Sequence, residues 1–270
     1  MQCQLNIAME HDLILACGDS YTEGCQDIIG KGVNGTWPGV VANHFGVPCM
    51  NLAEGGSSNT AIALQPVNTP LDEHWKEILG GAKKPLIIFA FTVMHRWTYF
   101  HPHYGGIQSH YSVDPEHMDK NNGSGNEWIH LQKHIPIKAF ESYTNWAKTT
   151  TGKDYQVENY TWATMIAVKT AMQYQSLIPG ATVLWGFIHE HSGAQSFGKD
   201  IKQLLNNDGD IIVDGVDWYS MGNCFNKWFD YKPLERVIKE DDIISPNDTH
   251  PNSKGIQSIA NIFIEGLNGI

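Results

Sequence analysis

The chain has 270 residues, 41% of them hydrophobic, with a formal charge of -11. This length and composition suffice for a large buried core and exclude a disordered chain. The acidic balance excludes a nucleic-acid backbone as partner, and no apolar run is long enough to span a bilayer.

The first element is Leu13-Ile14-Leu15-Ala16-Cys17, an apolar run without helical spacing that ends at Gly18 and reads as a buried strand. Asp19-Ser20 follows, with Glu23 in position for the first turn of a helix that Asp19 or Ser20 would cap. Gly30-Lys31-Gly32-Val33-Asn34-Gly35 has the spacing of a dinucleotide fingerprint. It neither follows a strand directly nor opens a helix directly, so it reads as a loop. Thr36 as cap, Pro38 in the first turn and Gly46 as terminator predict a helix over Trp37–Phe45.

Val47–Leu52 is expected as a second strand, closed by Glu54-Gly55-Gly56-Ser57-Ser58-Asn59. Pro85–Phe91 is expected as the third strand and Ala181–Ile188 as the fourth, with Ile211–Val213 a short fifth or an edge. Residues 93–150 break the alternation. They are rich in His, Tyr, Trp and Asn and read as an insertion at the carboxyl end of the third strand. Glu158–Leu177 is expected as a long helix. A last helix capped by Asn252 or Ser253 carries Ile256, Ile259, Ala260 and Phe263 on one face. Strands alternating with helices predict an α/β chain, a mainly parallel sheet covered on both faces. No Pro/Gly/Ser-rich linker divides the chain, so residues 1–270 are expected to form one domain carrying 93–150 as a lid-like insertion.

Ser20 at the end of the first strand and Asp248-Thr249-His250-Pro251 near the other terminus offer a serine, a histidine and a carboxylate, the parts of an acyl-transfer site. Open α/β sheets bind ligands at the carboxyl ends of their strands, where Ser20 is expected to stand. Four landmarks fall in order at such ends: Gly18-Asp19-Ser20, Gly55-Gly56, Thr92, and Asp248-Thr249-His250-Pro251. This ordered set resembles the SGNH (GDSL) hydrolases, a family of serine esterases and lipases on a flavodoxin-like α/β/α sandwich. The blocks that carry the resemblance are Gly18-Asp19-Ser20-Tyr21-Thr22-Glu23-Gly24, Asn51-Leu52-Ala53-Glu54-Gly55-Gly56-Ser57-Ser58-Asn59, and His250-Pro251-Asn252 with Gly255.

The resemblance implies a three-layer α/β/α fold, with Ser20 as nucleophile and His250 as its general base. The main-chain N–H groups of Ser20 and Gly56 would form part of an oxyanion hole. Two positions depart from the family's pattern. The carboxylate three residues before the histidine is replaced by Asn247. Asp248, Asn247 or a main-chain carbonyl is therefore left to orient the imidazole, with Asp248 preferred. The third-block asparagine is also missing, which leaves Thr92, or Asn59 after the glycine block, as the further oxyanion donor.

Asp19, Arg96 and Asn247 are candidate substrate-binding residues, Arg96 as a partner either for an anionic group of the substrate or for a neighbouring acid. His101, His103, His110 and His117 match no standard zinc spacing, so no metal is expected, and no organic cofactor. His189 and His191 are expected either to line the crevice or to lie on the surface. The five cysteines are odd in number and read as reduced thiols, Cys17 as a core thiol. Residues 1–10 show no signal-peptide pattern, and Asn247-Asp248-Thr249 would place a glycan in the site, so a cytoplasmic location is expected.

The expected activity is serine-dependent hydrolysis of carboxylic esters with small acyl groups, such as O-acetylated carbohydrate. The aromatic residues of 93–150 would serve as a sugar platform or as a satellite core. The alternatives are a lipid esterase or thioesterase, and a catalytically impaired carbohydrate-binding or structural module.

Overall fold

The computed structural model describes residues 10–24, 32–68, 81–92, 96–101, 106–111, 155–189, 212–213, 216–217, 223–229, 233–245 and 248–269. Five parallel strands form the main sheet: β1 (Leu13–Cys17), β2 (Cys49–Asn51), β3 (Pro85–Phe91), β6 (Thr182–Phe187) and β9 (Asn223–Cys224). Their order across the sheet is β2-β1-β3-β6-β9. Counted in the sequence order of these five, that is 2-1-3-4-5, the flavodoxin-like doubly wound order.

The alternation of the strands divides the core in two. On one face, Ile14 of β1 and Leu86, Ile88 and Ala90 of β3 pack against helices α2 (Trp37–Phe45) and α5 (Ser253–Asn268). On the other face, Leu15, Cys17, Ile87, Phe89 and Phe91 meet α3 (Asn59–Asn68) and α4 (Tyr155–Leu177). Every residue of β1 and β3 is buried, as strands covered on both faces require. This is the expected three-layer α/β/α arrangement. Trp37 stacks on Phe263 with ring centroids 4.4 Å apart, tying α2 to α5.

Local rules account for the helix ends. Thr36 caps α2 by accepting from the Gly39 N–H, Pro38 lies in the first turn, and Gly46 closes the helix at φ 70°, a left-handed conformation that glycine adopts without strain. Asn252 rather than Ser253 caps α5, its Oδ1 accepting from the N–H groups of Lys254 and Gly255. The helix after β1, α1 (Ser20–Glu23), has only four residues, with Asp19 as its cap.

One expectation about strands is corrected. The segment expected near Ile211–Val213 forms β7 (Ile212–Val213), which pairs antiparallel with β8 (Val216–Asp217) outside the main sheet. The fifth place is taken by β9, two residues long and paired with Leu184 and Trp185 of β6. So short a strand has no periodicity to read. Within the expected insertion, β4 (Arg96–His101) and β5 (Gly106–Tyr111) form an antiparallel ribbon. The remaining residues of 93–150 lie outside those described. Gly32–Gly35 is a short 3₁₀ turn leading to α2, so its glycines do not open a nucleotide-binding helix.

Candidate active site

Ser20, the glycine loop, Thr92 and His189 all follow the carboxyl ends of parallel strands: β1, β2, β3 and β6 in turn. His250 comes from β11 (Asp248–Pro251), which pairs antiparallel with β10 (Ile243–Ser245) just ahead of α5.

At the end of β1 the chain must turn sharply, and Gly18 permits it. A methyl group on Gly18 would stand 2.3 Å from the Thr22 hydroxyl oxygen. Gln65 of α3, buried, holds the same peptide from below. Its Oε1 accepts from the Gly18 N–H and its Nε2 donates to the Gly18 carbonyl, both at 2.8 Å. The carbonyl has a second donor in the Glu54 N–H, whereas Gln65 is the acceptor for the buried N–H. Gln65→Leu is therefore expected to destabilise the protein by about 1–3 kcal/mol, the cost of one buried donor left unpaired. A urea unfolding midpoint equal to that of the wild type would contradict it. Sequence reading missed Gln65, because nothing local marks a glutamine that reaches a peptide 47 residues away.

Asp19 is fully buried, and its Oδ1 accepts from the Tyr21 N–H, which starts α1. Ser20 is the first residue of that helix and half-buried. Its Oγ lies 2.7 Å from His250 Nε2. On the other side of the imidazole, Nδ1 lies 2.6 Å from Asp248 Oδ1, and the same oxygen accepts the His250 N–H at 3.1 Å. A carboxylate only accepts, so Nδ1 carries the hydrogen and Nε2 of the neutral ring is left as acceptor for the serine hydroxyl. Partial burial works to raise the Asp248 pKa, but the hydrogen bonds from His250 outweigh it and hold the carboxyl below its ordinary range. Asp248 is fixed in turn by its N–H, which donates to Ser245 Oγ. Among the described residues, Asp248 is the candidate that meets His250 Nδ1. Asn247 lies outside the described residues.

The loop after β2 lies against the serine. The Ser57 N–H donates to the Glu54 carbonyl, and Gly56 in the third place of this turn has φ 80°, as a type II turn requires. A methyl group on Gly55 would stand 3.6 Å from Ser20 Cβ. The Gly55 N–H is taken by Glu23 Oε2 at 2.7 Å. No described hydrogen bond takes the main-chain N–H of Ser20 or of Gly56.

Thr92 and Asn59 do not face the serine as expected. Thr92 is fully buried and gives its one hydroxyl hydrogen to Asp19 Oδ2 at 2.6 Å. Asn59 is also buried, with Oδ1 accepting from the Thr92 N–H and Nδ2 donating to Thr164 Oγ1. Both side chains lock the end of β3 to β1 and α4 from within, so the expectation that either supplies an oxyanion donor does not fit the geometry. The Asp19 carboxylate, a candidate for substrate binding, is likewise turned into the core. Arg96 opens β4 opposite Tyr111, and its side chain, like those of His101 and His110, lies outside what is described. His103, His117 and His191 lie outside the described residues altogether.

His189 neither lines the crevice openly nor sits on the surface. Its Nδ1 lies 2.9 Å from Glu235 Oε2 and its Nε2 3.5 Å from Asp19 Oδ2, with the side chain 12% exposed. Burial alone would lower its pKa, but the carboxylates of Asp19 and Glu235 prevail and raise it to about 9. A histidine that binds its proton more tightly when folded lends stability that is complete below about pH 6.5 and lost as pH rises through about 9. We expect a loss on the order of 3 kcal/mol across that window. Thermal unfolding followed as a function of pH measures it, and a flat melting temperature would contradict it.

No protein-family model matches the chain, and no curated protein matches it. Among solved structures it is similar to a protein assigned to the G-D-S-L lipolytic family from Desulfitobacterium hafniense DCB-2, at 8% identity and TM-score 0.39, covering 94% of this chain and 98% of that one. It is also similar to a carbohydrate esterase whose active site displays divergent catalytic and non-catalytic binding functions, at 16% identity and TM-score 0.43, covering 96% of this chain and 68% of that one. A third is a protein assigned as an SGNH hydrolase from Slackia heliotrinireducens, at 12% identity and TM-score 0.38, covering 94% and 97% of the two chains. At such identities and scores these likenesses carry no argument about activity. The chemistry is argued from the site itself.

Proposed function

We propose that the chain is a serine-dependent carboxylic ester hydrolase working through an acyl-enzyme intermediate. One observation carries this reading: Ser20, His250 and Asp248 form a continuous hydrogen-bonded row, 2.7 Å and 2.6 Å long in its two steps, between segments 230 residues apart. A serine hydroxyl is a weak nucleophile until a base within reach takes its proton. Here His250 Nε2 takes it as Oγ attacks the acyl carbon, and Asp248 stabilises the imidazolium that forms. His250 then returns the proton to the leaving alcohol. Water, activated by the same imidazole, attacks the acyl-serine and releases the acid.

The tetrahedral oxyanion needs donors already aimed at it. The N–H groups of Ser20 and Gly56 supply them, since those of Tyr21, Thr22 and Glu23 in α1 are already bonded to Asp19. With Thr92 and Asn59 committed inward, two main-chain donors carry this duty. The reading needs no metal and no organic cofactor.

The substrate we assign is an ester of a small acyl group, acetate foremost, on a polar alcohol such as a carbohydrate. The chain would act as one domain in which residues 93–150 flank the crevice beyond β3. Turnover of 4-nitrophenyl acetate should exceed that of the octanoate ester by tenfold or more. Equal or faster hydrolysis of the long chain would move the assignment to a lipid esterase or thioesterase. The reading itself is tested with a fluorophosphonate probe. An adduct located on Ser20 by mass spectrometry is expected, and no adduct on folded protein would leave a carbohydrate-binding or structural module instead.

A further inference from the structure

Beneath Ser20 lies a second row of polar groups that the acyl-transfer chemistry does not use. Asp19, the residue before the serine, accepts from Tyr21 N–H and Thr92 Oγ and faces His189, which meets Glu235 on its far side. The Asp19 carboxylate has no exposure to water, and a buried carboxylate is costly unless charge and hydrogen bonds balance it. We propose that His189 is a positioning residue: bridging Asp19 and Glu235, it holds the Asp19 carboxylate across the ends of β1 and β3 and thereby fixes the turn that presents Ser20 to His250. This inference rests on the esterase reading of Ser20.

Three features of the geometry support it. Nδ1 of His189 makes a 2.9 Å hydrogen bond to Glu235 and Nε2 a longer 3.5 Å contact to Asp19, and two carboxylates, which only accept, favour a ring with a hydrogen on each nitrogen. The row ties together three strand ends: β1 through Asp19, β3 through Thr92, and β6 through His189 itself. Tyr21 then couples this row to the catalytic one. Its ring meets His189 edge-on at 4.5 Å and lies 5.2 Å from the His250 ring, while its hydroxyl donates to the Thr249 carbonyl at 2.6 Å. A shift of Asp19 would therefore reach Ser20 along the chain and His250 through Tyr21.

The titratable groups set against His189 among the described residues are Asp19 and Tyr21, from the turn after β1, and Glu235, from the 3₁₀ turn Leu234–Arg236. Burial pushes the Tyr21 phenol well above its ordinary range, so it does not titrate in the same window. The imidazolium, raised to about 9, does. Above that pH Asp19 loses its positive partner.

The test is the rate of Ser20 labelling by a fluorophosphonate across the alkaline range, for wild type, Glu235→Gln and His189→Gln. Wild type should show an alkaline fall centred near pH 9. Glu235→Gln keeps the hydrogen-bonding shape but removes one carboxylate, so the fall should move down by about one unit or more. His189→Gln should label roughly tenfold or more slowly at neutral pH and lose the alkaline fall. A purely structural role would lower the amount of folded protein without moving that midpoint. A midpoint that stays in place in Glu235→Gln, or a wild-type rate that never falls, overturns the inference while leaving the esterase reading standing. Absence of labelling in the wild type at every pH overturns the esterase reading, and this inference with it. If neither variant folds, the His189 ring titration in ¹⁵N-histidine wild type decides. A midpoint near 9 supports the bridge, and one below 7 removes it.

Discussion

Ser20→Ala and His250→Ala are each expected to lower kcat/KM for acetyl esters by on the order of 10⁵ or more and to abolish fluorophosphonate labelling. The size follows from how the two groups share one step. Without Oγ there is no atom to carry the acyl group. Without Nε2, 2.7 Å away, the hydroxyl keeps its proton and remains a poor nucleophile. Because they act as a unit, the double variant should be barely worse than either single one. The residual rate in all three would come from binding and from the N–H groups of Ser20 and Gly56. Circular dichroism controls for folding, since Ser20 and His250 are both half-buried. Additive losses in the double variant would mean that the two side chains act separately, and the proposed mechanism would fall.

Asp248→Asn is expected to reduce kcat by about 10⁴ with little change in KM, as the same exchange does in a serine protease. An asparagine fits the space, but its amide can offer a hydrogen to Nδ1 where the carboxylate could only accept. The ring would then place its own hydrogen on Nε2, toward Ser20, in the wrong tautomer for a base. The direct hydrogen bond of 2.6 Å and the second one to the His250 N–H make Asp248 the orienting group here. Its depressed pKa also sets a pH limit. A carboxylate held below its usual range keeps its role above that range and loses it as pH falls through the lowered value. Activity in Asp248→Asn within tenfold of the wild type would show that another group orients the imidazole.

The spacing of Asp248 and His250 shows how a loop can replace a pattern. The family that the sequence resembles places its acid three residues before the histidine, and here that place holds Asn247. In β11 the acid at two positions before His250 lies on the same side of the strand, since side chains alternate. The β10–β11 pairing, irregular between Ile243 and Ser245, brings Ser245 beneath the Asp248 N–H and steadies the carboxylate under the ring. The extended backbone thus lets a two-residue interval reach Nδ1.

Much of the fold is legible in the sequence alone. Buried strands such as β1 and β3 are runs of apolar residues, and their ends are marked by glycine or by a change to polar residues. Thr36, Pro38, Gly46 and Asn252 act through backbone groups within a few residues, so their effects are local and can be read locally. Ser20 and His250 stood out for the same reason, each in a short block at a predicted strand or helix end. Tertiary structure alone decided the rest. It committed Thr92 to Asp19 across 73 residues and Asn59 to Thr164 across 105, turning two expected donors into struts. It buried His189 between two carboxylates, where a histidine after a strand had no local sign of partners. It gave the fifth place in the sheet to Asn223–Cys224, whose pairing with β6 comes from a neighbour distant in sequence. Local sequence determines which residues want to be strand, cap or turn. Which oxygen a distant hydrogen finally meets depends on how the layers pack, and that is a property of the assembled core.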